Sequence, residues 1–311
     1  MPMSVSAGEA ATQLRARGHD PHDITPLKGG AWSTVFAFRE AGRDYVVRFH
    51  DRRDDLEKDR FAQRWVSEPL RTPRIVEIGD LPHGAYGISE RVSGTPIDDL
   101  DHAGMREVLP PLFAAMDAMR EADLAGTRGF GLWHGNGAGD HASWRDTLVR
   151  EDAPGERAAQ RARLAASRIG AAEFDAALAR MHQLLPSCPE ERHLVHNDLL
   201  YFNVLTDGHG VVLLDWGASI FGDFLYDVAL LTFWWPWYAK RWGDIDIRRE
   251  VERHYAAIDL RIPAFRERLR CCELDIGISH IAYQAGREEW DNARWTAART
   301  LALARATLDV S

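Results

Sequence analysis

Three oxygen-bearing side chains stand at intervals that suit phosphoryl chemistry: Asp198 in the string His196-x-Asp198, then Asn203, then Asp215 after the apolar run 211–214. Phosphoryl transfer asks a protein mainly for positioning and for neutralisation of charge around the transferred phosphate. A carboxylate that orients an acceptor hydroxyl and takes its proton suits Asp198. Magnesium prefers oxygen ligands and shares them with nucleotide phosphates, so the Asn203 amide oxygen and the Asp215 carboxylate form the expected metal pair. Taken singly, each residue has an ordinary explanation: an Asp beside an apolar run commonly serves a turn or cap, and short strings of this kind arise by chance. Context gives them weight. The string lies between strand-like runs, and the turn Asp207-Gly208-His209-Gly210 leads into a returning strand that ends at Asp215-Trp216-Gly217. A loop followed by a hairpin can bring all three side chains to one edge.

The elements that must position them divide the chain. Ser6 and Glu9 form a capping box for a first helix that Gly18 can end. From residue 27 the texture turns to short β-type runs at 35–39 and 45–49, joined through Ala41-Gly42-Arg43-Asp44. An amphipathic helix is expected at 56–65, then strand-like segments at 75–78 and 86–92. Beyond Gly94 the pattern is mainly helical: Leu112, Met116 and Met119 recur at helical spacing, as do Phe174, Leu178, Met181 and Leu185. The stretch 156–167 reads as a solvated helix within an insertion near 150–186, a β island returns at 204–205 and 211–214, and everything past Asp227 reads as helix. The expected class is α+β, with a β-rich lobe over 1–92 and a mainly helical lobe over 93–311. In the first lobe, Lys28-Gly29-Gly30-Ala31-Trp32-Ser33 precedes a strand, where backbone N–H groups of a glycine turn can approach phosphate.

Composition narrows the classes. A net charge of −9 argues against nucleic acid as the main partner and suits a cationic small molecule. Cys188, Cys271 and Cys272 are spaced for neither a zinc site nor a disulfide framework, and no apolar run is long enough to span a membrane. The expectation is a monomer in a reducing cytoplasm, without a membrane partner.

The 193–217 block resembles the catalytic and metal loops of the protein-kinase-like superfamily, with Asp215-Trp216-Gly217 in place of Asp-Phe-Gly. The Trp, and the absence of Arg between His196 and Asp198, are similar to the aminoglycoside phosphotransferase and choline kinase-like family. The stretches AMDAMREADL, SWRD, CPEERHLVH and FGDFLYDVALLTFWWPW extend the likeness to hygromycin B phosphotransferases through most of the chain. The resemblance implies a bilobal kinase-like fold, ATP (with GTP left open) and Mg²⁺ in the cleft, and a hydroxyl acceptor. It places Arg48 where the family carries a phosphate-binding lysine, with Glu57 or Asp59 as its carboxylate partner. Gly29, Gly30 and Ser33 then face phosphate, and the backbone of Glu90 and Val92 meets adenine. The chain departs from the family between Asp198 and Asn203, where Leu199-Leu200-Tyr201-Phe202 stands in place of a glycine-containing loop.

For a polycationic acceptor, carboxylates and aromatic faces are the natural contacts. The candidates are Tyr201, Asp223, Trp235, Trp237, Tyr238 and Glu273, although most aromatics and acids of such a helical lobe belong to core or solvated faces. The competing readings are a kinase of another hydroxyl metabolite (choline, homoserine or a sugar) and a nucleotide-binding pseudokinase.

Overall fold

The structure, a computed structural model, describes residues 4–29, 32–150, 156–200 and 202–308. Helix α1 (Ala7–Arg15) starts at the expected capping box: the Ser6 amide donates to Glu9 Oε2 at 2.8 Å and the Glu9 amide to Ser6 Oγ at 3.3 Å. Strands β1 (His22–Pro26), β2 (Ser33–Glu40) and β3 (Arg43–His50) follow, then helix α2 (Arg53–Ala62), β4 (Ile75–Asp80) and β5 (Ala85–Glu90). The strands form an antiparallel sheet in the order β1-β2-β3-β5-β4. The β2–β3 hairpin closes on Ala41 and Gly42, with φ of 50° and 78°. Two successive positive φ values give the turn twist that matches a two-residue hairpin.

Alternation along β3 decides what each face does. Val47 and Phe49 join Phe36, Phe38, Tyr86 and Ile88 in a small core that Ala10 and Leu14 of α1 close. Arg48, one residue out of phase, faces the other way, toward α2. A methyl group on Gly87, the register partner of Arg48, would meet Leu56 of α2 at 3.0 Å, so the absence of a side chain lets this helix lie close to the sheet.

The chain crosses to the second lobe within 91–94, because the next strand, β6 (Thr95–Pro96), already pairs with residues 205–206 beyond Asn203. Helix α3 (His102–Arg120) follows, then β7 (Phe130–Trp133), β8 (Gly139–His141), α4 (Trp144–Val149), α5 (Glu156–Ala165) and α6 (Ala172–Leu184). Strands β9 (His193–Val195), β10 (Val204–Thr206), β11 (Val211–Leu213) and β12 (Ile220–Gly222) frame the chemistry. Helices α7 (Leu225–Trp234), α8 (Ala239–Trp242), α9 (Ile247–Ala257), α10 (Phe265–Gly286) and α11 (Trp290–Arg305) complete the lobe.

Two sheets here carry the loops, one ordered β11-β10-β6 and one β8-β7-β12-β9. The second was not expected from sequence; its strands are three or four residues long, too short to show alternation. The reading of 156–167 as a solvated helix is corrected. Arg157, Gln160 and Leu164 of α5 are buried, and Arg157 ion-pairs with Asp275 of α10. Among the described residues, no helix is long and apolar enough to cross a membrane.

Candidate active site

The catalytic loop runs from β9 to β10 and is fixed from below. Asp227, near the start of α7, accepts the backbone N–H groups of His196 at 2.9 Å and Asn197 at 2.8 Å. Asn197 takes a φ of 61° and its Nδ2 donates to the Ala218 carbonyl at 3.0 Å. The His196 ring is fully buried, donates through Nε2 to the Leu214 carbonyl at 3.0 Å and lies 4.7 Å from the Trp216 ring. Burial pushes its pKa down to about 4, so it is a neutral strut between the two loops. Leu199 and Leu200 sink into the core, which shows where part of the bulky insertion goes. Phe202 lies 3.5 Å beneath the Lys28 ammonium, while Tyr201 falls outside the described residues.

Asp198 and Asn203 meet directly: Asn203 Nδ2 donates to Asp198 Oδ2 at 2.7 Å and to the Asp198 carbonyl at 3.1 Å. That orientation commits the amide nitrogen and leaves Asn203 Oδ1 as the donor oxygen. Burial, reinforced by the nearby Asp215 charge, pushes the Asp198 carboxyl up to about 7 despite the bond from Asn203. A carboxylate so placed holds a proton far more readily than one in water, which suits a group that must accept one at neutral pH.

Asp215 sits in the left-handed region, φ 60° and ψ 77°, at the head of a 3₁₀ turn over Trp216–Ala218. Its Oδ1 accepts from the Gly217 amide at 3.3 Å and from Arg48 Nη1 at 2.9 Å, so both contacts fall on one oxygen and neither on Oδ2. Burial works against its charge, but Arg48 holds it below the usual carboxylate range. The second guanidinium nitrogen of Arg48 pairs with Asp59 Oδ2, and Asp59 Oδ1 accepts the Trp216 amide at 2.9 Å. Burial pushes Asp59 up to about 6 against the pull of Arg48. Of the two carboxylates considered for Arg48, Asp59 is the partner; Glu57 pairs with Arg53 at 2.8 Å instead.

On the nucleotide side, a methyl group on Gly29 would lie 2.8 Å from the Ser33 carbonyl, so the turn before β2 depends on that glycine. Gly30 is outside the described residues. Glu90 ends β5 with its carboxylate held by Arg74 at 2.6 Å and its amide donating to the Arg74 carbonyl at 3.0 Å. Val92 is half-buried at the crossing between lobes.

The acceptor candidates separate sharply. Asp223 is fully buried and takes two bonds from Arg268, each 2.9 Å. Glu273 is also sealed, bound by Arg248 at 2.7 Å, Arg270 at 3.1 Å and Thr232 at 2.7 Å. Trp235 is buried with its Nε1 donating to the Ile245 carbonyl at 2.7 Å. All three are buried with their polar atoms bound to protein partners, and of the three Trp235 lines a pocket, together with Thr232, Asp246 and Arg248. Trp237 is 45% exposed, edge-on to Trp295 at 5.0 Å, and Tyr238 is half-buried with its hydroxyl donating to Asp98 Oδ2 at 3.2 Å. Asp98 was missed in the sequence, yet its charge adds to the forces that raise Asp198. Trp32, 52% exposed before β2, reaches to 6.4 Å from Tyr283 of α10 and so spans the two lobes. Asp98 carries no sequence signal; Trp32 belongs to the Lys28–Ser33 stretch, but its approach to Tyr283 is set by the tertiary fold.

Among the described residues, no group of three or more His, Cys, Asp or Glu side chains forms a ready-made metal cage. Asn203 Oδ1 and Asp215 Oδ2 are a partial oxygen set of the kind that a magnesium ion completes with phosphate and water.

A β-rich lobe presenting Arg48 to a helical lobe that carries Asp198, Asn203 and Asp215 defines a phosphotransferase of the kinase-like fold. The chain belongs to the phosphotransferase enzyme family, whose model matches residues 23–268. It is 34% identical over 286 residues to hygromycin-B 4-O-kinase of Escherichia coli, spanning 91% of this chain and 81% of that protein. The crystal structure of aminoglycoside phosphotransferase APH(4)-Ia superposes with a TM-score of 0.84 at 31% identity, covering 96% of this chain and 99% of that one. A thermostable mutant of the same enzyme, in ternary complex with AMP-PNP and hygromycin B, gives 0.83 at 32% identity and covers 94% and 97%.

Proposed function

We propose that this protein transfers the γ-phosphoryl group of ATP to a hydroxyl of hygromycin B or a closely related aminocyclitol antibiotic, and so confers resistance to it. The observation that carries the reading is the joining of Asp198 to Asn203 at 2.7 Å beside an Asp215 that Arg48 holds at 2.9 Å. The relative at 34% identity supports the acceptor, and its name gives the 4-hydroxyl as the position we expect here. The complex with AMP-PNP supports an adenine nucleotide.

Asp198 orients the acceptor hydroxyl and takes its proton as the oxygen attacks phosphorus. Asn203 and Asp215 would hold Mg²⁺, which neutralises phosphate oxygens when bound. Arg48, anchored by Asp59, presents its guanidinium to the phosphates, and the Gly29 turn offers backbone N–H groups. Among the candidates that remain for the acceptor, Trp237 is an exposed aromatic and Tyr238 a half-buried one. The reading includes a monomer acting in the cytoplasm, which sedimentation and cell fractionation would check. The decisive assay is ATP consumption with Mg²⁺ over an aminoglycoside panel led by hygromycin B, with Asp198→Asn as control. Turnover on hygromycin B that the variant lacks is expected. Silence across the panel, with nucleotide still bound, would refute the acceptor.

A further inference from the structure

Lys58 stands one residue before Asp59 in α2 and is fully buried, 0% exposed. Removing an ammonium from water is costly unless every donor is directed at a partner. Among the described residues no carboxylate oxygen lies within ion-pair distance of it. Its Nζ donates instead to two backbone carbonyls of the metal loop, Gly217 at 2.7 Å and Ser219 at 3.1 Å, and sits 4.7 Å over the Trp133 ring. The Gly217 residue that accepts from Lys58 through its carbonyl donates its own amide to Asp215 Oδ1 at 3.3 Å. On the other side of the same turn, Asp59 accepts the Trp216 amide at 2.9 Å. Neighbouring residues of one helix therefore grip the turn by opposite polarities, an acceptor on its N–H and a donor on its carbonyls. The geometry points to Lys58 as a positioning residue: through Gly217 and Ser219 it holds the metal loop so that Asp215 keeps its left-handed backbone and presents Oδ2 to magnesium–nucleotide. This inference rests on the reading of Asp215 as a metal ligand.

Without the ammonium the two carbonyls lose their donor, the Gly217 amide is freed from Oδ1, and the carboxylate is left to Arg48 without the turn's amide to fix its orientation. The loss falls on metal-dependent binding, because Arg48, the phosphate contact of the first lobe on this reading, keeps its anchor on Asp59 when the Gly217 side of the turn loosens. The test is calorimetric binding of AMP-PNP to the full chain, with Mg²⁺ and again with EDTA. In Lys58→Met the gain in affinity that Mg²⁺ brings to the parent should shrink about tenfold, while the EDTA value stays within about twofold. Lys58→Gln, which can still donate to one carbonyl, should fall between. Equal losses in both conditions, or none in either, would overturn the role. A parent that binds no tighter with Mg²⁺ than with EDTA would instead overturn the reading of Asp215, and this inference with it. A second measurement needs no variant at position 58. The chain has lysines at 28, 58 and 240 alone, so ¹⁵N-lysine labelling yields an Nζ signal for Lys58, assigned by substituting the other two. That signal should be protected from exchange and should move when Mg²⁺ joins the nucleotide complex; an exposed or unresponsive amine would count against the proposal.

Discussion

Replacing Asp198 with Asn should abolish turnover and at the same time stabilise the fold. The carboxyl is lifted to about 7 from its ordinary 3.8, first by burial and then by the Asp215 charge. A carboxyl whose folded value lies above its unfolded one holds its proton more tightly when folded, so its ionisation costs stability. That cost is absent below the unfolded value, grows between about 3.8 and about 7, and is complete above. The gap, at about 1.4 kcal/mol per pH step, sets a ceiling of about 4 kcal/mol. The residue is half-buried rather than sealed, so solvent screening leaves about half of this, ~2 kcal/mol, as the working figure. Asn carries no charge and can still accept from Asn203, so it recovers that amount. Thermal melting in EDTA at about pH 8 should show the variant about 4 °C above the parent, with less than half the advantage at about pH 5. Turnover should fall by about a hundredfold or more, the usual worth of a positioned base. Equal melting temperatures at both pH values, or a variant less stable than the parent, would refute the claim that an ionised Asp198 is held at a cost.

Other substitutions test the remaining assignments. Arg48→Lys keeps the charge but cannot reach Asp59 and Asp215 with two separate nitrogens, so nucleotide affinity measured by calorimetry should fall about tenfold or more. Asp223→Ala leaves the buried Arg268 with only the longer 3.7 Å contact to Glu191 among carboxylates and should cost about 3 kcal/mol in urea unfolding, while the acceptor KM measured on the folded fraction stays unchanged. A large KM change at unchanged stability would return Asp223 to the acceptor site. Gly277→Ala places a methyl 2.2 Å from Thr300 Oγ1, where α10 crosses α11. Overpacking of this kind should cost about 1–3 kcal/mol in the same assay with no effect on nucleotide affinity.

What could be read from the sequence was local. The capping box at Ser6 and Glu9, the hairpin over Ala41 and Gly42, and the turn before β11 are decided by neighbouring residues, and so is the loop that joins Asp198 to Asn203. What could not be read depends on partners distant in the chain. Asp223 looks like an acceptor contact until Arg268 is found against it, 45 residues later. Arg157 makes its helix look solvated, yet it is buried because Asp275 of α10 is there to receive it. Pairing among charged residues erases the polarity signal on both helices at once. The choice between Glu57 and Asp59 is a matter of helix face: residues two apart point in different directions, and only the seat of α2 on the sheet shows which faces Arg48.

Arg48 stands where the family carries a phosphate-binding lysine, and its geometry shows what a guanidinium supplies there. A lysine would bring one point charge to the junction of Asp59 and Asp215, two carboxylates on different lobes of the fold. The guanidinium instead presents a planar fork, with Nη2 on Asp59 and Nη1 on Asp215. Because Asp59 also takes the Trp216 amide, the chain of contacts runs from β3 through α2 to the metal loop and back to Arg48 as a closed circuit. Such a circuit favours the ionised form of Asp215, with burial opposed by Arg48, and it ties β3 to the Trp216–Ala218 turn. On the proposed reading, nucleotide entry would make Arg48 share its charge between Asp215 and phosphate. The Asp59 end keeps the side chain anchored while the other end exchanges partners, a division of labour that a single ammonium could not perform.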